Sequence, residues 1–468
     1  MNAKKYNPLL LACIALVFLN ACTKKLDIAP EGVLTEQTAL QEKSTAQDLV
    51  AGAYQQMFLG LNGDTYTIGD LTTGIAQEFN NSYYTGAIDP NDGTVASIWN
   101  NSYAAINLAN VIITKLKKYA QFDTVSQNQF VAEARFIRAF SYFTLLELYG
   151  DGALEDKKDN MCVPLRLQSF DGYDGSQNIP RSTNDQVYAQ IIDDLNNAIA
   201  TLPVSYPNQP DEYSRATQSA AAALAARVML YRHDYTQCTI YCDQALADAN
   251  HVLAASPVDV FPDNSSGNTP YAFNKEVIFG FPVSYNNDPT QYAQHNIYYE
   301  YGDVYPDSTF LRSYNQSDLR LTMVDTIDNY GTPLALPVKF SDPNLRDNLV
   351  MIRLAEVVLT KAEALAFLNG VNQTSVDLLN QIHQRAFAVG NKPVLYTTSD
   401  FAQPQDLIDQ ILQEKKWEFA YEGRDRFEEI AAGKAPNPVL PENKYELPIP
   451  QYDIDITSGL IKQNPGYN

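Results

Sequence analysis

The sequence predicts a mostly α-helical fold: a helical-repeat scaffold of paired helices, with long loop-rich insertions and a few short strands. Three observations support this. Apolar residues recur at i, i+3 and i+4 through most of the chain, the signature of amphipathic helices. Some of these helices arrive as tight pairs with only a short break between them. Two stretches, residues 60–95 and 255–345, change character, with Gly, Asn, Asp and Thr alternating with aromatic residues. Loops that long inside a compact domain are usually functional or disordered.

In chain order the first element is an export signal. Lys4 and Lys5 precede an almost wholly apolar run, Leu9 to Leu19, and then small residues, the layout of a secretory signal peptide. The run is well short of the roughly 20 residues needed to span a bilayer as a helix. Leu19-Asn20-Ala21-Cys22 resembles the lipobox of bacterial lipoproteins, so residues 1–21 are the expected signal peptide and Cys22 the expected lipid anchor. Two acyl chains hold a folded domain stably at a membrane. Residues 22–468 are then expected to form a single domain, with binding loops near 60–100 and 255–345.

An extended tether, Thr23 to Gly32, leads to a helix over Gln37–Phe58 that ends near Gly60. Helices over Ile98–Leu116 and Ser126–Tyr149 follow the first insertion, and Thr183 or Asn184 is placed to cap another that runs to Leu202. Thr217–Arg232 and Tyr235–Ala249 pair about a break at His233-Asp234. Asn348–Leu368 and Ser375–Ala388 pair about a hinge at Asn369-Gly370. The first pair resembles a tetratricopeptide-like hairpin without its full consensus. Ala221, Ala225, Ala355 and Ala362 are small enough for neighbouring helices to approach closely. Glu276–Pro282 reads as a short strand, and Gln405–Ala432 as one long final helix.

Composition excludes several functions. Without residues 1–21 the net charge moves from −22 to −24, because two lysines and no acidic residue are lost. So acidic a chain lacks the basic footprint of a nucleic-acid binder and is not drawn flat onto anionic lipid. Cys162, Cys238 and Cys242 remain beyond the anchor, an odd number that implies no complete disulfide framework. Cys238 and Cys242 would share one side of a helix, as packing residues. His233, His251, His295 and His383 are scattered without ligand spacing, and the glycine, serine and histidine motifs of common enzymes are missing. Asp89 to Gly93 partly resembles a calcium loop, but Asn100 stands where a bidentate Glu is needed, which favours a plain turn. No metal or cofactor is expected.

Several motifs then converge on one family. Leu26-Asp27-Ile28-Ala29-Pro30-Glu31-Gly32 follows Cys22. Trp99, Tyr103, Ile106 and Ala109-Asn110 fall at helical spacing. Ala132-Glu133-Ala134-Arg135-Phe136-Ile137-Arg138-Ala139-Phe140-Ser141-Tyr142-Phe143 runs on to Leu148-Tyr149-Gly150-Asp151. Glu414 to Arg424 carries Glu418-Phe419 and Glu422-Gly423-Arg424, and the chain closes on Leu447-Pro448-Ile449-Pro450 and Gln463-Asn464-Pro465-Gly466-Tyr467. This ordered set resembles the SusD/RagB family over the whole mature chain, with Lys415 where the family often has arginine. The resemblance implies tetratricopeptide-like helix pairs and an outward-facing outer-membrane lipoprotein that caps a SusC-like TonB-dependent transporter barrel. It implies an oligosaccharide ligand held for import rather than cut, or a peptide in RagB-like members. The motif charges, Glu133, Arg135, Arg138, Glu414, Glu418, Glu422 and Arg424, are spaced three or four apart as in helix ion pairs, which gives them a structural role.

Tyrosine is the compositional outlier: the chain has 30 Tyr and 20 Phe but only 2 Trp, and most of these rings are expected to fill space between helices, with a minority in loops free to form stacking platforms. Sugar recognition needs a flat aromatic face and a few amides or charges for the hydroxyls, and tyrosine supplies the first at low entropic cost. The candidate ligand-binding residues are Asn81, Tyr83 and Tyr84 in the first insertion and Tyr298 and Tyr299 in the second. Trp99 has two readings, pocket wall or core. A glycoside hydrolase would need two carboxylates converging on a cleft, and a pure scaffold would need no small ligand.

Overall fold

The computed structural model describes residues 36–61, 63–78, 81–262, 272–282, 304–329, 332–342 and 347–467. Cys22, the signal peptide, Phe79, Tyr298 and Tyr299 lie outside the described residues. The longer helices are α1 (Lys43–Leu61), α2 (Gly63–Thr73), α3 (Gly93–Tyr119), α4 (Thr124–Tyr149), α5 (Asn184–Ile199), α6 (Gln218–Tyr231), α7 (Tyr235–Leu246), α8 (Leu354–Asn369), α9 (Gln373–His383), α10 (Pro404–Glu418) and α11 (Asp425–Ala431). Six short strands pair two by two, all antiparallel: β1 (Ala76–Glu78) with β3 (Val304–Pro306), β2 (Val277–Phe281) with β6 (Leu349–Arg353), and β4 (Val324–Asn329) with β5 (Thr332–Pro337).

The paired-helix frame is present. α1 packs on α3, α3 on α4, α4 on α5, α6 on α7, and α8 on α7, α9 and α10. From Ala132 to Leu146 every residue of α4 except Arg135 is buried, as expected of a helix surrounded by neighbours. Ala221, Ala225, Ala355 and Ala362 are fully buried at the contacts. Asp92 and Asp123 cap α3 and α4, each carboxylate accepting from a backbone N–H three residues on. Thr183 closes a capping box with Gln186. His233, at φ 60°, makes the one-turn break between α6 and α7, and Gly370, at φ 65°, ends α8 where the hinge was expected. Cys238 and Cys242 are buried and free, and burial with their mutual hydrogen bond pushes the Cys238 thiol pKa up.

Three expectations need correction. Residues 60–95 are not all loop, because α2 occupies their first half. Its threonines stay helical by turning Oγ1 back onto the preceding turn: Thr65 to Leu61 O at 2.7 Å and Thr72 to Ile68 O at 2.6 Å. Its Gly69 marks a contact between backbones rather than a turn, since a Cβ there would lie 2.1 Å from Gly423 O.

The final helix is not continuous. It stops at Glu418 and restarts at Asp425, and the turn between them holds Tyr421 and Gly423 at φ 65° and 67°. Residues 349–353, expected as the start of a helix, form β6. An apolar run with Val350 and Ile352 satisfies either period, and pairing with β2 decides it: Val277 faces Arg353 and Phe281 faces Leu349.

Candidate ligand-binding site

The β1–β3 ladder joins the two aromatic insertions. Ala76, Gln77 and Glu78 face Pro306, Tyr305 and Val304, so the end of the second insertion returns beside the first. Asp307 continues the contact: its N–H donates to Ile75 O at 2.9 Å, and Gln77 Nε2 donates to its carboxylate. Three residues beyond β1, Asn81 sits exposed in the left-handed region (φ 57°, ψ 26°) at the head of the short helix Ser82–Thr85.

That short helix is fixed from several directions. Glu78 Oε1 accepts from Ser82 Oγ at 2.8 Å and from Tyr83 N at 3.3 Å. Asn437 Nδ2 donates to Tyr84 O at 2.9 Å and to Thr72 O at 2.5 Å, tying the helix to the end of α2. Tyr83 is half-buried against the main core. Tyr84 is half-buried with its ring edge on Gly74, where a Cβ would come within 3.1 Å of Cε2. Both rings are therefore braced, each with part of its surface open, and Asn81 stands beside them. The sequence reading missed Glu78 and Asn437, which set this geometry. An Asn between Pro436 and Pro438 was the available signal.

Trp99 is not part of this cluster. It is 2 % exposed and packs on Tyr103 and Tyr149 with centroids 5.0 and 5.1 Å away. The turn at Asp89–Gly93 is a plain turn: Asp89 Oδ1 accepts from Asn91 N, and Asp92 serves as the cap of α3. Among the described residues no group of three or more His, Cys, Asp or Glu could hold a metal ion, and no helix is long and apolar enough to cross a membrane.

The motif charges, buried except for the half-buried Arg135 and Arg424, pair with residues of other segments. In α4, Glu133 accepts from Arg215 at 2.6 Å, and Arg138 meets Asp194 of α5 at 2.7 Å while donating to Asn110 of α3. In α10, Glu418 accepts from Arg353 at 2.7 Å and Arg385 at 2.5 Å; Glu414 accepts from Arg320 at 2.7 Å and contacts His383 Nδ1 at 2.7 Å. Glu422 accepts from Lys339 at 2.6 Å and Arg353 at 3.0 Å. Although burial works in the opposite direction, the neighbouring arginines hold the Glu418 and Glu414 carboxyls below the usual carboxylate range. Lys415 bridges Glu363 at 2.5 Å and Glu428 at 2.6 Å.

Helical pairs around a paired-charge core, with the two insertions meeting at one short ladder, make a helical-repeat frame. The first family model to match, described as starch-binding and associating with the outer membrane, covers residues 26–230. The SusD family model covers residues 337–431. Two SusD-like proteins of Formosa agariphila, P25 and P2, are 22 % and 25 % identical, over 96 % and 97 % of this chain and 97 % and 98 % of their own. Solved SusD superfamily structures from Bacteroides vulgatus and Bacteroides thetaiotaomicron superpose with TM-scores of 0.77 and 0.76. Each is 23 % identical, and they match 92 % and 91 % of this chain and all of theirs. A SusD-like carbohydrate binding protein from Bacteroides vulgatus has a TM-score of 0.70 at 20 % identity, over 84 % of both chains. The chain belongs to the SusD/RagB family.

Proposed function

We propose that the protein is a cell-surface lipoprotein that binds an oligosaccharide nutrient and passes it, uncut, to a TonB-dependent transporter of the outer membrane. The observation that carries this reading is the β1–β3 ladder, which brings Tyr305, at the end of the second insertion, beside the strand that leads to Asn81. A braced aromatic face with an amide at its edge suits a pyranose ring and its hydroxyls. The family description as starch-binding and outer-membrane-associated supports the choice of ligand and location. Asn81, Tyr83 and Tyr84, with Tyr298 and Tyr299, are the proposed platform; Cys22 is the proposed lipid anchor of a single 22–468 domain. A SusC-like barrel is the proposed partner.

The absence of catalysis is part of the proposal. Glycoside hydrolysis needs one carboxylic acid with a raised pKa and a second carboxylate, both facing the sugar. Glu414 and Glu418 have lowered pKa values and, like Glu422, are buried under arginine or lysine. That suits a structural role for these three carboxylates.

Two experiments test the reading. Replacing Tyr83 and Tyr84 together with Ala should weaken glycan affinity by tenfold or more, about 1.4 kcal/mol or above, with the helical circular dichroism of the folded chain retained. Unchanged affinity would remove these tyrosines from the site. Cys22→Ser should move the protein from the membrane to the soluble fraction of fractionated cells, and retention in the membrane would contradict lipid anchoring.

A further inference from the structure

A cavity of about 870 Å³ opens between α3 and the segment 164–179, within the range of small-molecule sites. None of its lining residues belongs to the Asn81–Thr85 turn or to the β1–β3 ladder. Trp99 and Tyr103 line it from α3; Phe170 and Tyr173, 51 % and 69 % exposed, line it from the segment.

The segment is strapped to the helices by side chains. Tyr103 Oη donates to Pro164 O at 2.8 Å, Tyr142 Oη to Arg166 O at 2.8 Å, and Asn110 Nδ2 to Arg166 O at 2.8 Å. Phe170 N donates to Asn107 Oδ1 at 2.8 Å. A wall held this way is ordered before any ligand arrives, which lowers the cost of binding.

The polar groups at the cavity select the ligand. Asn100 is exposed at the lining, and the Asn107 amide nitrogen is left to donate once its oxygen has accepted from Phe170. Arg166 spreads over the Tyr103 ring at 5.6 Å and donates to Gln177 O at 3.0 Å, so its charge is partly engaged. Against it stand Asp174 and Asp453, together with Asp171, whose charge is met by Lys115. Aromatic faces, free amides and an acidic balance favour a neutral polyol over an anionic sugar.

We propose that this cavity is a second saccharide pocket, which takes a short neutral oligosaccharide, with Tyr103, Phe170 and Tyr173 as its aromatic surface and Trp99 packed directly behind Tyr103. It rests on the reading of the protein as a glycan binder, and the test separates the two. Trp99 and Trp417 are the only tryptophans, so a Trp417→Phe chain reports on the cavity through Trp99 emission. The full-length chain in detergent would be titrated with maltoheptaose, cellohexaose, mannohexaose, xylohexaose and oligogalacturonate, following calorimetry and fluorescence together.

A neutral glycan that binds calorimetrically should shift Trp99 emission saturably. In the same background, Asn100→Ala with Tyr173→Ala, both at exposed positions, should weaken that shift tenfold or more. Tyr83→Ala with Tyr84→Ala should leave it in place. Glycan binding with silent Trp99 emission, or a shift lost with Tyr83 and Tyr84, overturns the second pocket alone. A response to oligogalacturonate only overturns the choice of a neutral sugar. No binding of any glycan sinks the pocket and the broader reading together.

Discussion

Lys415 reaches from α10 between Glu363 of α8 and Glu428 of α11, with 1 % of its side chain exposed. The two carboxylates hold its ammonium charged, with the pKa raised despite burial. Breaking a buried pair by removing one partner typically costs about 3–5 kcal/mol, because the other charge stays buried and unpaired. Lys415→Met should therefore lower stability at pH 7 by about 3 kcal/mol in denaturant titrations. The loss should shrink as the pH falls toward 5 and the stranded glutamates protonate; a loss below about 1 kcal/mol would mean the site relaxes.

Glu147 shows the opposite case. Its Oε1 is shielded and lacks a hydrogen-bond partner, and burial raises its pKa to about 7. Because the folded pKa exceeds the unfolded value near 4.3, the folded state binds the extra proton. The stabilisation is complete below the unfolded pKa and is lost as pH rises through about 7. Glu147→Gln should raise stability more at pH 8 than at pH 5, with a difference of roughly 2–3 kcal/mol. Equal effects at both pH values would contradict a proton-linked cost.

At the scale of elements, the contact between α2 and the α10–α11 turn depends on two glycines. A Cβ on Gly69 would lie 2.1 Å from Gly423 O, and one on Gly423 would lie 2.3 Å from Tyr66 Cα. Both obstacles are backbone, which cannot rotate away. Gly69→Ala should cost about 3 kcal/mol or more, at the upper end of overpacking effects, and a cost under 1 kcal/mol would show that α2 can shift. The same contact explains what the sequence hid. Two glycines and four threonines at helical positions look like loop composition, because only the facing turn gives Gly69 a reason to be there. Tyr421 and Gly423 likewise break an otherwise continuous helical pattern through positive φ, which apolar periodicity does not register. Where helices bury one stripe and carry a local cap, as at Thr183 or the His233-Asp234 break, periodicity and capping chemistry sufficed. The motif charges were legible as ion pairs by spacing alone, but their partners Arg215, Arg320, Arg353 and Arg385 come from distant segments. For the candidate site, the tyrosine-rich insertions were visible as composition. The ladder that joins them, and the strap over α3, are long-range pairings that no local pattern encodes.

At the scale of the molecule, a rigid helical frame with a paired-charge interior carries its chemistry on loops, as binding proteins commonly do. A net charge of −24 after removal of residues 1–21 disfavours adsorption to anionic lipid, so the proposed acyl anchor at Cys22 would supply the attachment. The central claim is binding without cleavage. Its most direct test is isothermal calorimetry of the full-length chain in detergent against neutral oligosaccharides and peptides, with each mixture analysed for products afterwards. Saturable heat from an intact oligosaccharide, with no shorter fragments, is the result expected. Cleavage products, or binding confined to peptides, would contradict it.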